Sequence, residues 1–271
     1  MVRQLLAIFA ICLLAMGAKA EDTALKRLET GDQTRDWQAV GRLDIDGKGF
    51  CTGALIREDL VLTAAHCLYD PATGEAVDLS KVEFLAGWRE GRASAYRWVR
   101  RAIIHPEYEY STELQADRVR NDIAILELNH PIRKSGVSPF PTAERPRKGE
   151  EIGLVSYGRS RSEAPSLQEI CDVLARQQGV LVMSCDVDFG SSGAPVFSFV
   201  NGQPQVVSVV SAMANINGKK VSLGAQLDEP LAVMLHTLDT RDRLENRANA
   251  SLFSKGEQRD IGAKFATPDV E

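Results

Sequence analysis

The chain has 271 residues, 44% hydrophobic side chains and a formal net charge of −5 at pH 7. Its length suffices for one large or two small hydrophobic cores, and its acidity argues against nucleic acid or an anionic membrane surface as partner. Beyond the first 20 residues no apolar run reaches the length of a membrane-spanning helix, so we expect no stable membrane anchoring.

Residues 1–20 are organised like an export signal. Arg3 provides a short basic region, the apolar run LLAIFAICLLAMG follows, and AKA at 18–20 is typical of a cleavage site. A membrane anchor is the alternative, but the run is short for a bilayer and lacks a stop-transfer flank. We expect a mature chain that begins near Glu21 and is secreted or periplasmic. Loss of Arg3 and Lys19, with no acid lost, lowers its net charge from −5 to −7.

The mature chain keeps an even number of cysteines: Cys51, Cys67, Cys171 and Cys185. In an exported protein this predicts two disulfides. Three pairings are possible, and we predict the sequence-local one, in which Cys51 pairs with Cys67 and Cys171 with Cys185. Each short loop closed in this way contributes about 3 kcal/mol. A zinc site from these cysteines and His66 is the alternative, although the ligand spacing fits no compact zinc knuckle.

Short β-type runs begin at residue 39, after a polar stretch (21–36) that we interpret as a loose N-terminal lead and candidate propeptide. The runs AVGRLDI and GFCTGALI flank DGKG, which predicts a β-hairpin. Further runs follow: LVLTAAHC, KVEFLAGW, AYRWVRRAIIH and DIAILELN. A proline-rich, charged connection (130–150) separates them from a second set: EIGLVSYG, LQEICDVLA, VLVMSC, APVFSFV, QVVSVVSAMA and VSLGAQLD.

This pattern predicts an all-β protein, with either two packed barrels or one sandwich. We assign residues 37–135 to the first strand set and residues 136–240 to the second. The spacing after Pro230 predicts a helix that caps the second set. Residues 241–271 are assigned to the end of this helix and a polar tail.

Three residues could together perform nucleophilic catalysis. Among the histidines (His66, His105, His130 and His236), only His66 follows a buried-type run and adjoins a cysteine whose disulfide would hold its backbone. Asp122 stands at the start of an apolar strand, where an acid needs hydrogen-bond partners. Ser192 lies in the turn GSSG, whose glycines allow the N–H groups of Gly190 and Ser192 to converge on one point. Each signal alone is weak.

In combination the motifs TGALI…VLTAAHC, IIHPEYEY…NDIAILEL and GSSGAPVF occur in the order His, Asp, Ser. Over about residues 38–240 the chain resembles a trypsin-like serine peptidase of the chymotrypsin fold. The resemblance implies two six-stranded antiparallel β-barrels and acyl-enzyme chemistry. His66 would be the general base and acid, Asp122 would fix its tautomer, and Ser192 would be the nucleophile. The N–H groups of Gly190 and Ser192 would form the oxyanion hole.

The chain also departs from this family. Members activated by cleavage expose an Ile-Val-Gly-Gly-like N-terminus that pairs with an Asp just before the nucleophile, whereas this chain has Ser191 there. Its segment DWQAVGRL is more similar to the start of bacterial glutamyl-endopeptidase-like members. We therefore expect activity that does not depend on a new N-terminal amine.

The resemblance also indicates a primary substrate pocket formed by Asp186, Ser211, Met213 and Gly224. An acid at the floor of a desolvated pocket would select Arg or Lys before the scissile bond. The alternative is that Asp186 only caps a turn. We expect a monomer that acts on proteins or peptides and needs no metal or cofactor. A catalytically silent protease-fold binding protein is the main alternative, and a disulfide-stapled β-scaffold is a weaker one.

Overall fold

A computed structural model describes residues 23–255, although the side chains of 241–242 and 244–255 are not described. The predicted signal peptide (1–20) and residues 256–271 of the polar tail lie outside the described residues. Among the helices of residues 23–255, none has the length and hydrophobicity needed to cross a membrane.

In chain order, the described residues form β1 (Lys26–Arg27), β2 (Val40–Ile45), β3 (Gly49–Arg57), β4 (Leu60–Thr63), β5 (Val82–Ala86), β6 (Ala95–Ile104), α1 (Ala116–Arg120), β7 (Ala124–Leu128), β8 (Glu151–Ser156), β9 (Ser166–Gln177), β10 (Val180–Met183), β11 (Pro195–Val200), β12 (Gln203–Ile216), β13 (Lys219–Gln226) and α2 (Asp228–Lys255).

Two closed antiparallel barrels of six strands each make up the body of the protein. The first pairs its strands in the order β2-β3-β4-β7-β6-β5, and β5 returns to β2. The second has the order β8-β9-β10-β13-β12-β11, and β11 returns to β8. The predicted hairpin turn between β2 and β3 has φ of 55° at Asp46 and 65° at Gly47, as the twist of tight hairpins favours. The predicted all-β, two-barrel fold is confirmed, and the sandwich alternative is wrong.

The N-terminal lead is not loose, in contrast to the sequence expectation. Its strand β1 pairs with β9 of the second barrel, and the Thr23 N–H donates to the Ile170 carbonyl at 2.9 Å. Leu28 of the lead is buried in the core, as is Trp37 directly after it. Polar composition concealed this packing because one buried apolar side chain and backbone hydrogen bonds are enough to fix a short edge strand.

The helix predicted after Pro230 begins at Asp228 and continues to Lys255. Two acids, Asp228 and Glu229, stand in its first turn, where they interact favourably with the helix dipole. Leu231, Met234 and Leu238 follow at helical spacing and are buried in the core shared with the barrels. The helix is therefore anchored by one apolar face.

The hydrophobic core of the first barrel continues into the seam between the barrels, and the interior of the second barrel holds a core cluster of its own. An aromatic cluster lies where they meet: the Phe197 ring centroid is 5.2 Å from that of Trp37 and 4.8 Å from that of Phe140. Phe197 belongs to β11, and Phe140 belongs to the connection between the barrels. This packing fixes the barrels relative to one another, so that residues contributed by each can form one site.

Both predicted disulfides are present, Cys51–Cys67 and Cys171–Cys185. The sequence-local pairing is confirmed. His66 does lie close to the first pair, but both sulfur atoms are in the disulfide and cannot act as thiolate ligands. The zinc alternative at these residues is therefore wrong.

Candidate active site

His66 lies just after β4, in a short 3-10 turn formed by Ala65–Leu68. Ala64 and Ala65 before it are fully buried, and Cys67 after it is bonded to Cys51 of β3. The backbone is thus held on both sides, while the His66 side chain stays 18% exposed. The ring can contact a ligand without leaving its position.

Asp122 lies beside His66 with a side chain that is 0% exposed. One carboxylate oxygen accepts the His66 backbone N–H at 2.8 Å, and the other lies 2.6 Å from His66 Nδ1. An ionised carboxylate only accepts hydrogen bonds, so Nδ1 carries the proton and Nε2 is left as the basic nitrogen. The two residues are 56 positions apart in sequence and are joined by the barrel.

Ser211 completes the surroundings of Asp122. Its hydroxyl donates to the Asp122 carboxylate at 2.5 Å. The residue lies where the register of β12 against β13 shifts between Val210 and Ala212, and such bulges redirect a side chain. The sequence predicts Ser211 only as part of the pocket wall and gives no signal of this hydrogen bond.

Backbone hydrogen bonds hold the turn that carries Ser192. The Ser191 N–H donates to the Asp188 carbonyl at 2.9 Å, and the Gly193 N–H donates to a β12 carbonyl at 2.7 Å. Gly190 and Gly193 have φ of 95° and 75°, where residues other than glycine are strained. Among the described residues, neither Gly190 N–H nor Ser192 N–H has an acceptor. Both are available to a ligand oxygen.

Strand β3 of the first barrel holds this turn from the side. The Thr52 N–H donates to the Ser192 carbonyl and the Thr52 hydroxyl to the Gly190 carbonyl, both at 2.8 Å. The same hydroxyl accepts the Tyr157 N–H at 3.1 Å. Phe50 shares this face of β3, and its ring would lie 2.3 Å from any Cβ added to Gly190. Neither residue was predicted from the sequence. The one available signal was that Phe50 and Thr52 flank Cys51 and so lie on the opposite face of β3 from it.

The two serines of the turn have different surroundings. Ser191 is fully buried, and its hydroxyl donates to the Tyr157 carbonyl at 3.0 Å. Ser192 is partly exposed. Within residues 23–255, however, no hydrogen bond joins the Ser192 hydroxyl to His66. The structure thus brings His66 to Asp122 directly and places Ser192 on a turn packed against the same barrel.

The residues assigned to the primary pocket do not form the expected buried, charged floor. The Asp186 side chain is 58% exposed, and its carboxylate lies 2.9 Å from Lys220 Nζ. Met213 is half-buried against the second barrel's core. A Cβ on Gly224 would lie 2.3 Å from the Ser208 hydroxyl, so this glycine faces the barrel interior. Asp186 lies at the surface because its side chain reaches the cation of β13.

Two tyrosines near the site remain neutral. Burial, reinforced by the charge of Asp122, raises the pKa of Tyr108 above its ordinary value. Burial likewise raises the pKa of Tyr157, whose hydroxyl donates to the Trp88 carbonyl at 2.8 Å. Neither phenol supplies an anion at neutral pH, so neither competes with His66 as a base.

Residues 28–226 match the sequence profile of the trypsin family. The chain belongs to this family. The predicted family is thereby confirmed. Cathepsin G of Mus musculus is 35% identical over 131 residues, which cover 46% of this chain and 46% of that protein. Serine protease 23 of Mus musculus is 30% identical over 199 residues, which cover 61% of this chain and 51% of that protein.

The chain spans about half the length of these two curated relatives. A solved structure of a Glu endopeptidase in complex with MPD has a TM-score of 0.65 against this chain, and the two sequences are 16% identical. The match covers 82% of this chain and 100% of that one. At this identity the likeness establishes a common fold and leaves the chemistry to be argued from the site.

Proposed function

We propose that this chain is an exported serine endopeptidase that hydrolyses peptide bonds through an acyl-enzyme. The observation that carries the proposal is the pairing of His66 with the fully buried Asp122, beside a glycine turn with two unbonded N–H groups. A buried carboxylate that orients a partly exposed imidazole is costly to maintain and has a direct use in proton transfer.

In the proposed reaction, Ser192 Oγ attacks the carbonyl carbon of the scissile bond while its proton passes to His66 Nε2. The carbonyl oxygen becomes an oxyanion and accepts hydrogen bonds from the N–H groups of Gly190 and Ser192. His66 then gives the proton to the leaving amine nitrogen, which leaves an acyl group on Ser192. A water molecule then gives a proton to His66 and attacks the carbonyl carbon of this ester. His66 returns the proton to Ser192 Oγ, so that the serine is restored and the acyl group leaves as a carboxylic acid.

The absence of a hydrogen bond between Ser192 and His66 is the one observation that favours a catalytically silent binding protein. In unliganded enzymes such bonds are often long and tighten only when substrate binds. All three proposed catalytic residues are present, and the unbonded N–H groups have no evident role in a silent scaffold. Activity is therefore the better-supported proposal.

The test is covalent labelling with a fluorophosphonate, followed by peptide mapping of the labelled site. We expect the label on Ser192 and hydrolysis of a protein substrate. Ser192→Ala should keep the wild-type circular dichroism spectrum and lose labelling, with activity reduced at least about a thousandfold. A folded wild-type protein that neither labels nor cleaves any member of a peptide library would support the silent alternative.

Export is part of the proposal. The basic and apolar arrangement of residues 1–20 and the two disulfides both suit a chain that leaves the cytoplasm. Sequencing the N-terminus of the protein from the periplasm or medium should give a start near Glu21. A product retained in the cytoplasm with an intact residue 1 would contradict this.

We further propose that the pocket selects Arg or Lys through Asp186, and that Lys220 competes with the substrate for this carboxylate. Both side chains are more than half exposed, so solvent screening keeps the effect small. Lys220→Ala should raise kcat/KM for Arg relative to Leu before the scissile bond about two- to fivefold. Asp186→Ser should abolish the preference. A wild-type library profile that favours aromatic, small or acidic residues there would end this proposal.

A further inference from the structure

A guanidinium lies behind the turn that carries Ser192. Arg161 ends a short 3-10 turn, Arg159–Arg161, that follows β8. Its Nη1 donates to the Ser156 carbonyl at 2.6 Å, and its Nη2 donates to the Ser156 hydroxyl at 3.0 Å and to the Ser191 hydroxyl at 3.1 Å. It therefore joins the end of β8 to the residue directly before the proposed nucleophile.

Arg161 is held in a space made for it. A Cβ on Gly158 would lie 3.0 Å from the Arg161 Cζ atom, so the glycine allows the guanidinium to pack against the backbone. Burial lowers the pKa of Arg161, while the charges of Asp186 and Asp188 oppose this shift from a distance. Among the described residues Arg161 forms no ion pair. A partly buried cation without a paired carboxylate is costly, and neutral groups could supply the same hydrogen bonds.

The same 3-10 turn also orients the peptide between Phe189 and Gly190. The Arg159 N–H donates to the Phe189 carbonyl at 2.7 Å. A peptide bond is planar and trans, so its N–H points away from its carbonyl. Holding the Phe189 carbonyl against Arg159 therefore directs the Gly190 N–H to the opposite side, where it is free of protein acceptors.

The Ser191 hydroxyl links the Arg161 guanidinium to the turn that contains Gly190. It accepts the Asp188 N–H at 3.2 Å as well as the Arg161 donor, and the Ser191 N–H closes the turn on the Asp188 carbonyl at 2.9 Å. Gly190 lies inside this closed turn. Its N–H direction thus depends on Ser191 at one end and on the Arg159 backbone at the other.

We propose that Arg161 is a positioning residue that holds the Gly190 N–H in place to stabilise the oxyanion, acting through Ser191. This inference rests on the proposed function. It assigns a role in the transition state to a residue that does not touch the reacting atoms. Because Arg161 is part of the chain, the turn is organised without any free N-terminal amine.

The first test is steady-state kinetics of Arg161→Met and Arg161→Lys. Loss of a single oxyanion donor lowers kcat about 100- to 1,000-fold, and partial misplacement should lower it about 10- to 100-fold. We expect this loss in Arg161→Met with KM changed less than about threefold, because the oxyanion exists only in the transition state. Arg161→Lys restores a cation and should recover part of kcat. A KM effect with unchanged kcat would overturn the proposal.

The second test is a double-mutant cycle with Ser191→Ala. If Arg161 acts through Ser191, the kcat of the double variant should be about the same as that of whichever single variant has the lower kcat. Independent, multiplying losses would contradict the proposed route. Arg145→Gln is the matched control, since Arg145, like Arg161, is partly buried, and it binds Asp228 at 2.6 Å at the start of α2. It should lower stability and leave kcat per folded molecule unchanged.

Hydrogen exchange separates failure of this inference from failure of the proposed function. In Arg161→Met the amides of Ser191 and Gly193, which donate to the Asp188 carbonyl and to a β12 carbonyl, should exchange faster, whereas in Arg145→Gln they should not. A wild-type protein without labelling or hydrolysis, together with faster exchange in Arg161→Met, would refute the peptidase and retain the positioning role of Arg161. Normal wild-type activity with unchanged exchange and kcat in Arg161→Met would refute the inference alone.

Discussion

Thr52→Val removes a single hydroxyl that joins the two barrels at the turn carrying Ser192. Valine is close in shape to threonine, so the change creates almost no cavity. The Tyr157 N–H, in a fully buried residue, then has no acceptor, which costs about 1–3 kcal/mol. The Gly190 carbonyl loses its donor, a further loss of about 1 kcal/mol. We expect the free energy of unfolding to fall by about 2–4 kcal/mol.

The same change should lower kcat about tenfold. The Gly190 carbonyl loses a hydrogen bond that holds the turn carrying Ser192, and small misplacements of catalytic groups are costly. The assays are urea unfolding with both disulfides intact and turnover per fluorophosphonate-titrated site. Thr34→Val is the matched control: its buried hydroxyl donates to the Thr30 carbonyl at 3.2 Å, far in sequence from the site. It should lower stability by about 1 kcal/mol and spare kcat. A wild-type urea midpoint in Thr52→Val would refute this reasoning.

Two further predictions concern backbone space and pH. Gly193→Ala should destabilise the protein and lower kcat, since the added Cβ would lie 2.1 Å from a threonine hydroxyl of the first barrel. Gly202→Ala is the control: its φ of 76° is within a degree of that of Gly193 and the space around it is open, so it should cost only about 1–2 kcal/mol and keep kcat. Burial lowers the pKa of His105, so the folded state binds its proton less readily than the unfolded state, and stability should fall as pH drops below about 6.5. His105→Gln should reduce this pH dependence between about pH 5 and 7 in urea unfolding; an unchanged slope would show that His105 titrates normally.

Local sequence was sufficient to predict the strands, the hairpin and the disulfides. Alternating apolar residues and an Asp-Gly turn act over a few residues, and the paired cysteines are 16 and 14 positions apart. Each of these features is therefore encoded within a short stretch of the chain. The motifs around His66, Asp122 and Ser192 are also short stretches of sequence, and their order along the chain indicated the family. The lead at 21–36 was misjudged, because β9, the strand with which it pairs, is distant in sequence.

The tertiary structure alone decided which groups support the candidate site. Ser211 reaches Asp122 across 89 positions, and Thr52 reaches Gly190 across 138. No local pattern encodes such contacts, because they arise only when the closure and packing of both barrels bring distant strands together. The same holds for Asp186, whose place in the sequence indicated a buried pocket floor but whose side chain lies at the surface beside Lys220. Residue type and order determined what chemistry the chain could perform, and barrel packing determined which side chains are close enough to take part in it.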